Sequence, residues 1–311
     1  MSPTTTTIRG VAGKLLEAFC WAMRFERNLS PATVVAYETD LLQYIRFLAG
    51  RGVSLKQAAR EDVIAFLEQR MDDGAMVRTR ARQLSAIRRF YSYLVEEGEA
   101  EVDPCELIDP MRLPFHLPTV LSVEETIRLV ERPDVSTPEG VRDRAMLELM
   151  YAAGLRVSEC CALKLTSLHL AERLVTLDGK GSKQRLVPVA KKAADWVEFY
   201  MGDARKRILD SARSVRPDAR NRLFVSRRGT GLTRQAIWKL TRKYALLAGI
   251  TQDVHPHVLR HCFATHLLVN GADLRVVQAL LGHASISTTE IYTHLSRDDI
   301  RAAYLKHHPR S

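Results

Sequence analysis

The sequence has no hydrophobic run long enough to cross a membrane, because its apolar stretches fall far short of the ~20 residues that a spanning helix needs. Its first residues, Met-Ser-Pro followed by four threonines, have neither the charged nor the apolar region of a secretory signal. We therefore expect no membrane association and no export.

Cysteine is also scarce. The cysteines show no paired spacing of the kind that binds metal, and their odd number argues against a disulfide framework. We expect reduced thiols, a cytoplasmic location and no cofactor. The five cysteines are Cys20, Cys105, Cys160, Cys161 and Cys262.

The sequence does have an excess of positive charge. Lysine and arginine number 46 against 36 aspartate and glutamate, which gives a formal net charge of +10 and a pI near 9.5. A chain of 311 residues, 46% of them hydrophobic, is long enough for about two domains with real cores. A basic surplus suits nucleic-acid binding but can also serve solubility alone, so its position along the chain matters.

The first part of the chain predicts a helical domain, which we place at residues 1–108. Ser30 followed by Pro31 marks a helix start, because the hydroxyl caps the first turn and proline already has the helical φ. Apolar residues then recur every three or four positions, as on one face of a helix. They are Val34, Tyr37, Leu41, Ile45 and Leu48.

A later helix of this domain carries five arginines and no acidic residue before Glu96. An ordinary solvated face mixes charges of both signs, and like charges repel unless a polyanion neutralises them. DNA phosphates are the obvious polyanion, so the pattern predicts a DNA-binding face, with an ordinary surface as the alternative. The arginines are Arg78, Arg80, Arg82, Arg88 and Arg89.

Four prolines between residues 103 and 118 predict a stiff linker, which we place at residues 109–119. The remainder, residues 120–311, is a second domain of mixed pattern. Two short β-type runs, 174–177 and 186–189, predict a hairpin, and 223–225 could supply a third strand. Helical patterns cover 123–131, 139–152, 233–248, 257–269, 273–281 and 286–293.

The predicted fold is therefore mainly α with a small β-sheet. The helix that follows Thr233 is basic like the arginine-rich helix of the first domain, so Arg234, Lys239 and Arg242 are further candidates for DNA binding. The basic segment 202–222 has no role that the sequence suggests.

Four short motifs of the second domain combine residues that suit phosphate chemistry. Each has a plain alternative, since Arg156 could simply pair with Glu159, and a tyrosine in such a context could simply be buried. The motifs are Gly154-Leu155-Arg156, Gly179-Lys180-Gly181, His257-Val258-Leu259-Arg260-His261, and Leu281-Gly282-His283 with Tyr292 nine residues beyond the histidine.

Together the motifs supply what metal-free cleavage of a phosphodiester requires. Arginine donates two parallel hydrogen bonds to a phosphate and keeps its charge. Histidine transfers protons near pH 7, and a tyrosine phenol, with a pKa of about 10, attacks phosphorus once it is activated. The combination predicts an enzyme that cuts DNA through a covalent tyrosine intermediate.

The order and spacing of these motifs resemble the tyrosine recombinases, and most closely the Xer subfamily, over nearly the whole chain. The resemblance implies an all-helical core-binding (SAM-like) domain that grips DNA, followed by an α+β catalytic domain. The matching stretches include Asn-Leu-Ser-Pro (28–31), Phe-Ala-Thr-His-Leu-Leu (263–268), Gly-Ala-Asp-Leu-Arg-Val-Val-Gln (271–278) and His-His-Pro-Arg (307–310).

The resemblance also implies a role for each catalytic residue. Arg156 and Arg260 would hold the scissile phosphate, and Lys180 would be the general acid. One histidine, His257, would assist the proton transfer from the tyrosine, and the other would hydrogen-bond the phosphate. The implied set is Arg156, Lys180, His257, Arg260, His283 and Tyr292.

The biological setting follows from the same resemblance. It implies recombination at dif-type sites, which resolves chromosome dimers during segregation, through a 3′-phosphotyrosyl intermediate. The implied partners are double-stranded DNA, a second, XerC-like recombinase in a tetrameric synapse, and an FtsK-type DNA translocase. The tail from Leu295 to Ser311 has helical spacing, and we expect it either to dock on a neighbouring subunit or to fold back on its own domain.

Other interpretations stay open. A phage or mobile-element integrase would use the same chemistry at other sites, and a type IB topoisomerase would share the phosphate chemistry but not the two-domain layout. A non-catalytic DNA-binding protein would explain the charge but not the convergence of the motifs. A metalloenzyme is a further alternative, because several possible metal ligands cluster in the sequence. The sequence has no His-Glu-x-x-His pattern and no carboxylates near this cluster, which argues against it. The clustered residues are His255, His257, His261, Cys262 and His266.

Overall fold

A computed structural model describes residues 10–27, 29–111, 120–178, 184–282 and 297–310. The chain divides into two compact units, Met1–His116 and Leu117–Ser311. The described part of the first unit is helical, and the second adds a small sheet to a mostly helical unit, so the predicted fold class is confirmed.

In the described part of the first unit, four helices pack around an aromatic core. The second helix begins where the sequence predicts, since the Ser30 hydroxyl accepts a hydrogen bond from the Thr33 amide at 3.2 Å. Phe19 meets Phe90 edge to face, and Tyr44 meets Phe66 in the same way. The helices are α1 (Val11–Phe25), α2 (Pro31–Gly50), α3 (Arg60–Asp72) and α4 (Val77–Glu96).

The second unit is built around a helix that is buried on every side. All residues from Gly140 to Ala152 are buried, so this helix occupies the centre of the core. The helices are α5 (Val123–Glu131), α6 (Pro138–Ala152), α7 (Val157–Ala162), α8 (Lys191–Phe199), α9 (Arg205–Asp210), α10 (Pro217–Asn221), α11 (Arg234–Leu247), α12 (Pro256–Val269), α13 (Leu274–Leu281) and α14 (Arg297–His307).

The sheet has three antiparallel strands in the order β1-β2-β3. The predicted hairpin is present as β2 (Leu174–Asp178) and β3 (Gln184–Pro188), with Val175 opposite Val187. Its tip, residues 179–183, and the predicted helix 286–293 lie outside the described residues.

The prediction of a third strand at 223–225 is wrong, because the third strand is β1 (Leu168–His169). The Leu223 amide donates to the Leu163 carbonyl, and the Leu232 amide donates to the Phe224 carbonyl. The backbone of this buried segment therefore bonds to neighbouring loops and not to the sheet.

The basic segment 202–222 contains an arginine with a structural role. The Arg205 guanidinium donates hydrogen bonds to the carbonyls of Ala219, Arg220, Arg222 and Leu223. One arginine thus satisfies several carbonyls at the end of α10, which explains part of the basic composition without DNA.

The C-terminal tail folds back on its own unit. Tyr304 is fully buried, and its hydroxyl donates to the Ala152 carbonyl at 2.9 Å. The His308 ring stacks on the Tyr304 ring, with 4.9 Å between the ring centroids. Burial lowers the pKa of His308 to about 3, so its imidazole is neutral. The tail was expected either to dock on a neighbouring subunit or to fold back on its own domain. Its described residues fold back on their own unit.

Candidate active site

Arg156 is positioned by a tight turn between two helices. Gly154 has φ +56, and a Cβ at this position would lie 2.5 Å from the Phe263 ring, so only glycine fits. The turn ends α6 and makes Arg156 the residue that precedes α7. The Arg156 guanidinium then donates to a Glu159 carboxylate oxygen at 2.8 Å.

Arg260 reaches the same place from α12. Its guanidinium donates to the carbonyls of Gly154 and Leu281, the latter at 2.7 Å. Burial and then the charge of Arg156 lower the pKa of Arg260 to about 10, so it keeps its charge near pH 7. Two arginines that are remote in sequence thus converge at one end of α13.

Glu159 connects the two arginines to a third one. Its carboxylate accepts two hydrogen bonds from Arg185, at 2.8 and 3.0 Å. Burial would raise the pKa of Glu159, but the hydrogen bonds and charges of Arg185 and Arg156 outweigh it and hold the pKa below its usual range. Three positive charges meet one negative charge, so the cluster keeps an excess of positive charge.

Arg185 was missed by the sequence analysis. It lies in β3, two positions before the buried Val187, so it is on the inward face of the strand. The sequence offered one signal for Arg185, namely an arginine at an inward position of a short predicted strand. A buried arginine needs charged or polar partners, so such a position indicates a buried polar cluster. Its Nε donates to the Leu280 carbonyl at 3.1 Å, which ties the strand to the end of α13.

Gly282 ends α13 beside this cluster. It has φ +64, and a Cβ there would lie 3.0 Å from the Arg185 Cδ, so the Leu-Gly-His motif needs its glycine. The Arg156 guanidinium approaches the Gly282 carbonyl at 3.4 Å. The arginine cluster therefore holds the chain just before the segment that contains two of the predicted catalytic residues.

His257 lies in the first turn of α12, and its side chain is exposed. Loss of water from the part of the ring that packs on the protein lowers the pKa of His257, and the nearby charges of His255, Arg260 and Arg156 lower it further. The imidazole is therefore neutral near pH 7 and can accept a proton. The structure thus brings together three of the six predicted catalytic residues, while Lys180, His283 and Tyr292 lie outside the described residues.

The five arginines of α4 differ in their contacts. Arg82 forms an ion pair with the buried Asp40 at 2.8 Å, and Arg88 donates to the Ile108 carbonyl, so both stabilise the first unit. Arg80 is partly buried, whereas Arg78 and Arg89 are exposed, Arg89 over the ring of Tyr37. The exposed pair is the better candidate for DNA contact.

We expect the double variant Arg78→Gln, Arg89→Gln to weaken DNA binding across sequences. Each phosphate contact that is lost should reduce the slope of log affinity against log salt by about 0.9. The control is Arg27→Gln, because Arg27 is exposed but already pairs with Glu96 at 2.7 Å. A salt titration in which the double variant keeps the slope of the unmodified chain would contradict a DNA-binding role for this face.

The basic residues of α11 form the second predicted DNA face. Arg234, Lys239 and Arg242 are all exposed on this helix. Arg234 and Lys239 also line an open cavity of about 400 Å³ together with His257. The second basic face thus adjoins the arginine cluster.

One of the histidines that suggested a metal site, His266, bonds to other groups through both ring nitrogens. The His266 ring bonds the Tyr151 hydroxyl at 2.7 Å through one nitrogen and the Leu121 carbonyl at 2.9 Å through the other. Within the described ranges, no group of three or more His, Cys, Asp and Glu side chains is arranged to hold a metal ion. Over the same ranges, no helix is both long and apolar enough to span a membrane.

The chain thus has two compact units, and the second contains an arginine cluster with an excess of positive charge. Residues 119–298 match the phage integrase family, and residues 16–98 match the phage integrase N-terminal SAM-like domain. The chain belongs to the phage integrase family and is a site-specific tyrosine recombinase of the Xer type, as the motifs predicted.

Curated relatives support this over the full length. The chain is 43% identical over 310 residues to tyrosine recombinase XerD of Ralstonia nicotianae, covering 99% of this chain and 98% of that protein. It is 45% identical over 296 residues to tyrosine recombinase XerD of Lacticaseibacillus casei, covering 95% and 99%.

A solved structure agrees. The XerH site-specific recombinase, bound to a palindromic difH substrate in a post-cleavage complex, superimposes with a TM-score of 0.65 at 25% identity. The match covers 94% of this chain and 84% of that one.

Proposed function

We propose that the arginine cluster binds the scissile phosphate and that Tyr292 attacks it. The observation that carries the proposal is the convergence of Arg156 and Arg260 on one buried carboxylate, with an excess of positive charge. Buried, fixed cations stabilise the charge of a pentacoordinate phosphate better than water does, because they need no reorganisation.

The chemistry balances without a metal ion. The phenol oxygen of Tyr292 bonds to phosphorus as the bond to the 5′ oxygen breaks, which leaves a 3′-phosphotyrosyl link and a 5′-hydroxyl. His257 accepts the phenol proton, and Lys180 donates a proton to the departing oxygen. His283 donates a hydrogen bond to a non-bridging oxygen. Rejoining is the reverse, with a 5′-hydroxyl of another strand as the attacking group.

The neutral state of His257 fits this role. Because its pKa lies below the usual range, the imidazole accepts a proton near pH 7, whereas a protonated ring could not. The positive charge of Arg156 and Arg260, which lowers that pKa, is the same charge that holds the phosphate.

We expect the purified protein to form a covalent adduct on a suicide substrate in the presence of excess EDTA. Peptide mapping of that adduct should find the DNA attached to Tyr292, since every stabilising charge proposed here belongs to a side chain. Attachment to another residue would overturn the nucleophile. Activity that vanishes with EDTA and returns with magnesium or zinc would overturn the metal-free mechanism.

We further propose that the protein acts in the cytoplasm on dif-type chromosomal sites, in a tetrameric synapse with a second, XerC-like recombinase, under an FtsK-type translocase. Its support is the full-length similarity to proteins named XerD. Binding to chromosomal fragments followed by sequencing tests the site. Recovery of a single inverted-repeat site on the chromosome fits the proposal, whereas recovery of mobile-element ends would favour an integrase.

A further inference from the structure

A tryptophan lies in the middle of the cationic face of α11. Arg234, Lys239 and Arg242 are exposed on this side, and Trp238 between them is 39% exposed. The neighbouring side of the helix supplies buried residues such as Ile237 to the core. Trp238 lies at the edge of that buried side, part of its indole contacts water, and the Arg242 guanidinium lies over the ring, 5.4 Å from its centroid.

Trp238 also lines the cavity of about 400 Å³. The cavity has an apolar part, formed by the tryptophan, a valine and a proline, and a polar rim with two cations and a histidine. Its lining residues are Val157, Arg234, Gln235, Trp238, Lys239, Pro256 and His257.

The cavity adjoins the proposed phosphate site. Val157 follows Arg156 directly in the chain, and His257 precedes Arg260 by one helical turn on α12. A DNA strand whose phosphate lies on the arginines therefore has its neighbouring nucleotides within reach of the cavity.

The shape and charge of this face fit the major groove of duplex DNA. The groove admits an α-helix, and α11 carries no acidic residue that would repel phosphates. Arg234, Gln235 and Lys239 can hydrogen-bond base edges or phosphates on either side of the indole. Val157 and Trp238 give the cavity an apolar wall. This wall suits the major-groove edge of a thymine, which carries an apolar methyl group.

We propose that Trp238 and this cavity receive the C5-methyl group of a thymine close to the scissile phosphate. Among the groups that the four bases present in the major groove, only thymine carries a methyl, and apolar side chains select it. Trp238 is then a specificity-determining residue of the recombinase. The proposal rests on the proposed function, because it requires duplex DNA to be bound across the arginine cluster.

The test removes one methyl group at a time from the DNA. The probe is the duplex site recovered by binding to chromosomal fragments and sequencing. In this duplex each thymine is replaced in turn by deoxyuridine, which lacks the C5-methyl group. The binding measurements use Tyr292→Phe protein, so that affinity is read without cleavage. Burial of one methyl group predicts a loss of about three- to fivefold at one thymine near the cleavage point.

The matching protein variants are Trp238→Ala and Leu246→Ala. Trp238→Ala should bind the natural duplex about as weakly as the deoxyuridine duplex and should not distinguish the two. Leu246 is also an exposed apolar residue of α11 but does not line the cavity, so Leu246→Ala should keep the full preference for thymine.

Three results would overturn the assignment. The first is a thymine preference that Trp238→Ala retains at the same position, and the second is no thymine preference at any position in the protein that keeps Trp238. The third is a rise on binding in the fluorescence of 2-aminopurine placed opposite that thymine, which would show an unpaired base in the cavity. An adduct on a residue other than Tyr292 would refute the proposed nucleophile but leave the methyl result standing.

Discussion

Replacing Arg260 with alanine should lower the rate of strand cleavage by about 10²–10³-fold, the usual effect of removing one fixed donor to a charged transition state. Affinity for DNA should fall far less, because only one phosphate contact among many is lost. The measurement is single-turnover cleavage of a suicide substrate beside a binding titration, with Tyr292→Phe as the baseline for a chain that binds without cleaving.

The structure supplies a control for this experiment. The Arg260 guanidinium also donates to the carbonyls of Gly154 and Leu281, so alanine could loosen the turn that positions Arg156. Arg260→Lys keeps a charge but not the planar fork, and should restore part of the stability and little of the rate. Equal losses of affinity and cleavage in Arg260→Ala would show that this arginine serves binding and not the transition state.

The sequence predicted those parts of the site that depend on local pattern. The pairing of Arg156 with Glu159 is a contact between residues three positions apart at the start of one helix. The hairpin of β2 and β3 also follows from alternation over a few residues.

Contacts between distant residues were harder to predict. Arg185 binds Glu159 across 26 positions, and no local pattern relates a strand residue to a helix start. Arg88 looked like a surface cation in an arginine-rich helix, but its partner is the Ile108 carbonyl 20 residues away. Charge along a sequence therefore indicates DNA binding in general, whereas the assignment of single arginines requires the fold.

The central helix α6 illustrates a second limit. Its buried Glu148 is fully enclosed, and an isolated carboxylate there would be very costly. The structure balances it with Arg144 from the same helix and Arg310 from the end of the chain. Helical periodicity marks α6 as a helix but does not show that the C-terminus supplies its counter-ion.

We therefore expect Arg310→Met to lower the free energy of unfolding by about 3–5 kcal/mol, the usual result of removing one partner from a buried ion pair. Arg310 is 9% exposed and binds both Glu131 and Glu148. The control is Lys306→Met, because Lys306 loses the same charge from an exposed position of the same tail. Urea unfolding of the full chain, with hydrogen exchange of α14 amides, measures both variants.

The expected difference in stability between Arg310→Met and Lys306→Met decides which variants can test the tail in recombination. Deleting residues 298–311 would remove Tyr304 and Arg310 together, so it would open the core of the second unit as well as any contact with a neighbouring subunit. Cooperative assembly on a two-site substrate is therefore better tested with exposed tail variants such as Lys306→Met. If Arg310→Met proves as stable as Lys306→Met, the ion pairs of Arg310 with Glu131 and Glu148 do not stabilise this unit.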